Sequence, residues 1–291
     1  MAYLNINRFK VSVVIITCER PDYLKLSLES VFKQAVEPFE VIIVDDCSAA
    51  DYQPVLDKFS NRIFVYHRLK CRSGANAARN KGVVLSSGDI IAFLDDDDIW
   101  LENFVSTHQE YYQQDSQIGA LICGYKVMDN ERKHVINKRE VINSDDLRLG
   151  NYFSGMSGFS ARRPILIDHL FDPCLKNGQD WDLFVRLVQS DIKFVNITQA
   201  LFLYRLQTPD GITAKAKRMA ISDVEQRLQS AFKHKHWLGE KYYKKRVAEQ
   251  VLGFLPNKSD KLGWIKKSIE LAGFNATFTS LMHQVKRKLT K

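Results

Sequence analysis

Ile90-Ile91-Ala92-Phe93-Leu94-Asp95-Asp96-Asp97-Asp98 sets five apolar residues directly against four carboxylates. The run has the length of a strand buried on both faces, and the acids that stop it mark its carboxyl end. The same pattern stands upstream, where Glu40-Val41-Ile42-Ile43-Val44 runs into Asp45-Asp46. Val11 to Thr17 is a further β-branched run. Pro21 follows at a good first helical position, and Leu24, Leu28, Val31 and Phe32 recur at helical spacing to Gln34. Strand, helix and strand in this order make a parallel βαβ unit. Ile63 to His67 reads as a third strand, and Ala75 to Leu85 as a helix stopped by Ser86-Ser87-Gly88. Asn103 to Gln114 reads as another helix and Gly119 to Val127 as another strand. The alternation predicts an α/β fold with a Rossmann-like, mainly parallel central sheet flanked by helices.

In open sheets of this kind a ligand lies outside the carboxyl ends of the strands, where both acid clusters fall. A nucleotide-type site is expected there, yet neither usual phosphate loop is present. No G-x-G-x-x-G follows the first strand, and no G-x-x-x-x-G-K-[ST] occurs. A diphosphate would then be held by a metal on carboxylates. In an extended segment residues two apart point the same way, so Asp95 and Asp97 can converge on one cation. Hard oxygen ligands suit Mg²⁺ or Mn²⁺. The plainer alternative is a solvated acidic turn at a helix N-terminus, which negative charge favours.

Of 291 residues, 45% are hydrophobic and 26% charged, the mix of a soluble globular protein. No apolar run approaches the ~20 residues of a membrane span, and Met1 to Lys10 is polar, so a cytoplasmic setting is expected. Five cysteines without a Cys-x-x-Cys pair argue against a disulfide framework or a thiolate zinc site. The seven histidines show no H-E-x-x-H spacing and read as structural or surface residues. The net charge of +8 is uneven: residues from Lys215 onward carry +12 and residues 1–214 carry −4. An acidic front part argues against nucleic acid as a partner, because phosphate backbones repel it. The change falls at Pro209-Asp210-Gly211, a turn cluster, dividing residues 1–210 from a basic helical extension over 211–291.

Four stretches, in order, resemble the motifs of family 2 glycosyltransferases with the GT-A fold. They are Val11 to Leu24, Val41 to Asp46, Gly74-Ala-Asn-Ala-Ala-Arg79-Asn80-Lys-Gly82 and Phe93-Leu-Asp95-Asp-Asp97-Asp-Ile-Trp100. Gly178-Gln179-Asp180-Trp181-Asp182-Leu-Phe-Val-Arg186 resembles that family's Glu-Asp-x-(Asp/Glu)-Leu segment, with Gln179 in place of the usual Glu. The resemblance covers residues 11–205. It implies a metal-dependent, inverting enzyme that moves a hexosyl or N-acetylhexosaminyl group from a nucleotide diphosphate donor, a UDP-sugar. The implied acceptor is a glycan or lipid-linked glycan hydroxyl, in synthesis of a bacterial surface polysaccharide such as capsule or lipopolysaccharide.

The resemblance also implies roles. Thr17, Arg20, Asp46, Arg79, Asp95 and Asp96 fall where the family binds the donor nucleotide, and Asp46 would accept from the base N–H. Asp45 could instead orient the turn, and Arg20 and Arg79 could be solvated surface arginines. Asp97, with Asp95, would hold Mn²⁺ or Mg²⁺. Asp180 would take the proton of the attacking hydroxyl; the structural alternative is a cap just before a helix with apolar Leu183, Phe184, Leu187 and Val188. Trp181 could stack on an acceptor sugar or pack in the core. Gln207 stands near where several relatives carry a metal-binding histidine.

Two rivals remain: a catalytically inactive nucleotide-sugar-binding protein, and a sugar-phosphate nucleotidyltransferase. The second needs a glycine-rich Arg/Lys loop after the first strand, which Thr17-Cys18-Glu19-Arg20 does not supply. In the extension, Trp264, Ile265, Ile269, Phe278, Leu281 and Val285 alternate with Lys266-Lys267 and Lys286-Arg287-Lys288. Such helices either pack on the protein with their lysines in water or lie on an anionic membrane.

Overall fold

The computed structural model describes residues 9–150, 153–206 and 211–289. The elements are β1 (Val11–Thr17), α1 (Pro21–Phe32), β2 (Glu40–Asp45), α2 (Gln53–Leu56), β3 (Phe64–Arg68), α3 (Ala75–Leu85) and β4 (Ile90–Asp95). There follow β5 (Ile99–Trp100), α4 (Phe104–Gln114), β6 (Ile118–Val127), β7 (Asn130–Val135), α5 (Ser144–Leu149), β8 (Phe159–Arg162) and α6 (Arg163–Asp168). The chain continues through α7 (Gln179–Gln189), β9 (Lys193–Tyr204), α8 (Ile212–Arg218), α9 (Val224–Lys233), α10 (Lys235–Val251), α11 (Lys261–Ala272) and α12 (Phe274–Leu289).

Two compact units emerge. Among the described residues, the first gathers 9–144, 153–173 and 183–206; the second gathers 145–150, 174–182 and 211–289. The first holds one sheet in the order β3-β2-β1-β4-β8-β6-β9-β5, with β7 paired to β6. It is parallel through β3-β2-β1-β4, as the βαβ reading expects. Beyond β4 it is mixed, because β8 runs antiparallel to both β4 and β6 while β6 and β9 are parallel. The continuous apolar runs of β1, β2 and β4 are buried because both faces of the parallel half are covered.

Two glycines of the Gly74–Gly82 stretch have separate reasons. Gly74 precedes α3 at φ +88°, a left-handed conformation that other residues enter at a cost. Gly82 lies where α3 crosses β1, and a Cβ there would come within 2.3 Å of Val14 Cγ1. The close approach holds α3 against the strands whose ends carry the acids. Pairing of Thr17 with Asp45 and of Ile16 with Asp95 sets the carboxyl ends of β2, β1 and β4 side by side.

The second unit is the helical extension with the two short segments before it. Val224, Leu228, Val247, Val251 and Trp264 form its core. Among the described residues no helix is long and apolar enough to cross a membrane.

Candidate active site

Asp95 to Asp98 form a turn rather than an extended segment, since Asp98 N–H donates to the Asp95 carbonyl at 3.1 Å. The strand-alternation argument for Asp95 and Asp97 therefore does not apply. The turn instead buries Asp96 and Asp98 and leaves Asp95 and Asp97 half-buried.

Each acid of the turn has its own partners. Asp95 Oδ1 accepts from Arg79 Nη2 at 2.7 Å, and Asp97 Oδ2 from Arg20 Nη1 at 3.0 Å. Asp96 Oδ2 accepts from Thr17 Oγ1 at 2.7 Å, while Arg20 Nη2 lies 2.6 Å from its other oxygen as an ion pair. Asp98 accepts from Ser157 Oγ at 2.6 Å and from the Arg205 backbone N–H at 2.9 Å. Arg205 also donates through Nε to the Asp97 carbonyl at 3.0 Å. Arg79 is buried with its guanidinium over the Phe171 ring at 5.6 Å, which removes the solvated-surface reading for that residue.

Burial pushes the Asp96 carboxyl up to about 7 although Arg20 and Thr17 favour its charged form. Asp97 is raised by burial and by the neighbouring charge of Asp95, and Asp98 is raised well above the usual carboxylate range by burial and by Asp97. The turn sets four carboxyl groups against the two guanidinium groups paired with it, those of Arg20 and Arg79, and burial holds part of that set protonated.

That excess of carboxyl over guanidinium groups is the observation that a divalent cation fits. Asp95 and Asp97 offer half-buried hard oxygens. The described residues contain no group of three or more His, Cys, Asp or Glu arranged for a metal. Such a donor pair suits Mg²⁺ or Mn²⁺, which complete their shell with phosphate oxygens and water rather than with an all-protein cage.

The end of β2 is organised differently. Asp45 is fully buried; its Oδ1 accepts from the Ser48 backbone N–H at 3.0 Å and from Ser48 Oγ, and Oδ2 accepts from Tyr66 OH at 2.9 Å. It orients the turn. Asp46 donates its N–H to the Thr17 carbonyl at 2.9 Å. Its carboxylate accepts the Ser73 and Gly74 backbone N–H groups at 2.6 and 2.9 Å, which ties the β2 end to the start of α3.

Asp180 lies in the second unit, inside the first turn of α7 and not before it. Its Oδ1 accepts from the backbone N–H of Trp181 at 2.8 Å, so the position just outside the helix belongs to Gly178, whose carbonyl receives Asp182 N–H at 2.9 Å. Trp181 is fully buried, donates Nε1–H to the Leu147 carbonyl at 2.9 Å and carries the Arg246 guanidinium 3.3 Å from its ring centroid. It is a packing residue and cannot stack on an acceptor. Gln207 lies outside the described residues, as do Pro209 and Asp210 of the turn cluster.

Sequence reading missed Tyr52, Ser48, Ser157 and Arg205. Tyr52 OH lies 2.8 Å from Thr17 Oγ1 and accepts the Arg20 backbone N–H at 3.0 Å. Only the stretch from Tyr204 at the end of β9 to Arg205 and the fourth aspartate carried a visible signal; Tyr52 lies just before α2 and Ser157 just before β8, in short stretches without one.

A Rossmann-like half-sheet ending in paired carboxylates, continued by a mixed half-sheet, defines a GT-A glycosyltransferase. The family model described as glycosyl transferase family 2 matches residues 12–171, and the chain belongs to that family. It is 26% identical over 243 residues to an uncharacterized glycosyltransferase of Methanocaldococcus jannaschii, covering 80% of this chain and 81% of that one. It is 27% identical over 221 residues to the GalNAc(5)-diNAcBac-PP-undecaprenol β-1,3-glucosyltransferase of Campylobacter jejuni, covering 72% and 69%. Among solved structures, S. aureus TarS 1–349 in complex with UDP-GlcNAc superposes with a TM-score of 0.62 at 16% identity, over 93% of this chain and 73% of TarS. The mannosyltransferase of Pyrobaculum calidifontis in complex with GDP-Man and Mn²⁺ superposes with a TM-score of 0.62 at 14% identity, over 98% and 81%.

Proposed function

We propose that this glycosyltransferase moves a sugar from a UDP-sugar to the hydroxyl of a glycan or lipid-linked glycan, with inversion, in assembly of a bacterial surface polysaccharide. The observation that carries the reading is the carboxyl-rich Asp95–Asp98 turn, with Arg20 and Arg79 paired to it, at the carboxyl ends of adjacent parallel strands. The bound donor of TarS and the lipid-linked acceptor in the name of the Campylobacter enzyme support the substrate classes. Mn²⁺ in the Pyrobaculum mannosyltransferase supports the cation.

In this reading residues 1–210 are the transferase domain and 211–291 the basic extension, and the enzyme works at the inner face of the membrane as a peripheral protein. A cation on Asp97 and Asp95 supplies neutralisation of the charge that develops on the departing diphosphate. Asp46, fixed by two backbone N–H groups, keeps lone pairs for the base N–H. Thr17 and Asp96 set the floor of the nucleotide site. Arg20 and Arg79 present planar donors suited to phosphate oxygens. Asp180 takes the proton of the attacking hydroxyl.

A screen of UDP- and GDP-sugars for hydrolysis and transfer, with Mn²⁺ and with excess chelator, tests the reading. Asp97→Ala should abolish transfer and the cation dependence of UDP binding, and full activity in chelator would overturn the metal role. Asp180→Asn should lower turnover by roughly 10²–10⁴-fold at unchanged donor affinity. A new linkage that keeps the donor's anomeric configuration, read by NMR, contradicts the single-base mechanism.

A further inference from the structure

α12 is amphipathic, but it is turned so that its apolar side faces away from the other helices of its unit. Thr277 and Ser280 are 2% and 7% exposed, whereas Phe274, Phe278, Met282 and Val285 are 66%, 54%, 53% and 53% exposed. The inward face is seated by polar contacts. Thr277 Oγ1 donates to the Gly273 carbonyl at 2.9 Å and lies 2.8 Å from Ser268 Oγ of α11, and Gln284 Nε2 donates to the Leu252 carbonyl at 3.2 Å. At 3.6 residues per turn the four exposed apolar positions fall within ~80° of arc, so they form one continuous stripe. The Phe274 and Phe278 rings stack at 6.1 Å along it. A contiguous apolar stripe of this kind left in water marks an interaction surface.

Charge identifies the partner. Exposed Asn275, Thr279, His283 and Lys286 run beside the stripe at the same spacing. From Leu271 to Lys291 the sequence has no Asp or Glu but has Lys286, Arg287, Lys288 and Lys291. α11 repeats the theme on one face with exposed Leu262, Lys266 and Ile269. Two copies of α12 facing each other would bring two segments of net positive charge together. Lipid phosphates attract a segment of that charge, and the acyl boundary takes the aromatic rings.

We propose that α12 lies in the plane of an anionic bilayer surface, with Phe274, Phe278, Met282 and Val285 inserted below the headgroups and the basic residues on lipid phosphate. The proposal deepens the peripheral-attachment part of the reading above. Its deciding readout is vesicle binding, so its failure is distinguishable from failure of the transfer chemistry.

The experiment is co-sedimentation of the full chain with vesicles of phosphatidylglycerol and phosphatidylcholine, or of phosphatidylcholine alone, at low and high salt. Binding is expected to the anionic vesicles, weaker at high salt because the charges are screened. The double variant Phe274→Ser/Phe278→Ser should lower partitioning by about tenfold or more while leaving Tm and nucleotide-sugar hydrolysis unchanged. Lys266→Glu/Lys286→Glu, which keeps the stripe intact, should weaken binding to anionic vesicles several-fold and flatten its salt dependence. It remains decisive if the phenylalanine variant unfolds. Failure of the full chain to bind anionic vesicles overturns the proposal, as does equal binding to neutral ones. Binding that both variants leave intact places the contact elsewhere and also overturns it. A sedimentation-velocity dimer that Phe274→Ser/Phe278→Ser dissociates, without vesicle binding, would make the stripe an interface between copies instead.

Discussion

A hydroxyl carries one proton, and the proton of Thr17 decides how the Asp95–Asp98 turn is held. Thr17 Oγ1 donates to the buried Asp96 carboxylate at 2.7 Å, so its contact with Tyr52 at 2.8 Å must be one in which the phenol donates. Tyr52 in turn accepts the Arg20 backbone N–H, and Arg20 returns to Asp96 and Asp97 through its guanidinium. The loop closes on an acid that burial lifts to about 7, so Thr17 stabilises its charged form near neutral pH. Thr17→Val removes the donor and keeps the shape. It should cost about 1–3 kcal/mol in urea denaturation and weaken UDP binding, whereas Thr17→Ser should recover most of both. Equal stability of the Val variant and the native chain would show that the network does not hold the turn.

At the scale of elements, legibility followed length and punctuation. β1 and α3 match their expected bounds, because a β-branched run and a Gly-to-Gly helical segment each contain their own signal. β8 was not legible: Phe159-Ser-Ala-Arg162 is four residues long and is a strand only because β4 and β6 flank it. The aspartate turn was legible as chemistry but not as geometry, since four like residues carry no periodicity from which to tell a turn from a strand. His108 of α4 is another residue whose meaning is tertiary. It is buried, with Nδ1 2.7 Å from Ser160 Oγ of β8 and its ring stacked on Phe104 at 4.1 Å. Burial lowers its pKa to about 3, against an ordinary value of 6.5. The unfolded chain therefore binds a proton below pH 6.5 that the fold refuses until about pH 3, and stability falls as pH drops through that window. The loss should reach about 1.4 kcal/mol near pH 5.5. His108→Gln, which does not titrate, should close the stability gap to the native chain by about that amount between about pH 7.5 and 5.5 in urea melts. Parallel pH curves would mean that the folded protein protonates this ring freely.

At the scale of the whole molecule, the basic C-terminal sequence proves to be more than an appendage to a motif. Residues 174–182, which carry Asp180, cluster with residues 211–289. The reason lies in two buried side chains. Trp181 is covered by the Arg246 guanidinium and by the His234 ring edge at 5.3 Å, and Asp182 Oδ1 accepts from His234 Nε2 at 2.7 Å and pairs with Lys233 Nζ at 2.9 Å. None of these partners was legible, because they stand more than fifty residues downstream in helices whose only visible property was charge. The residues proposed to bind the donor all belong to the other unit. A chain ending at residue 210 should therefore keep its affinity for UDP, measured by calorimetry, while losing transfer. His234→Leu in the full chain is the gentler form of the same test. It strips the buried Asp182 carboxylate of one hydrogen-bond donor, which should cost about 1–3 kcal/mol and lower turnover with UDP affinity unchanged. Full transfer by the shortened chain would show that the segment bearing Asp180 holds its shape without the helices that pack around Trp181 and Asp182.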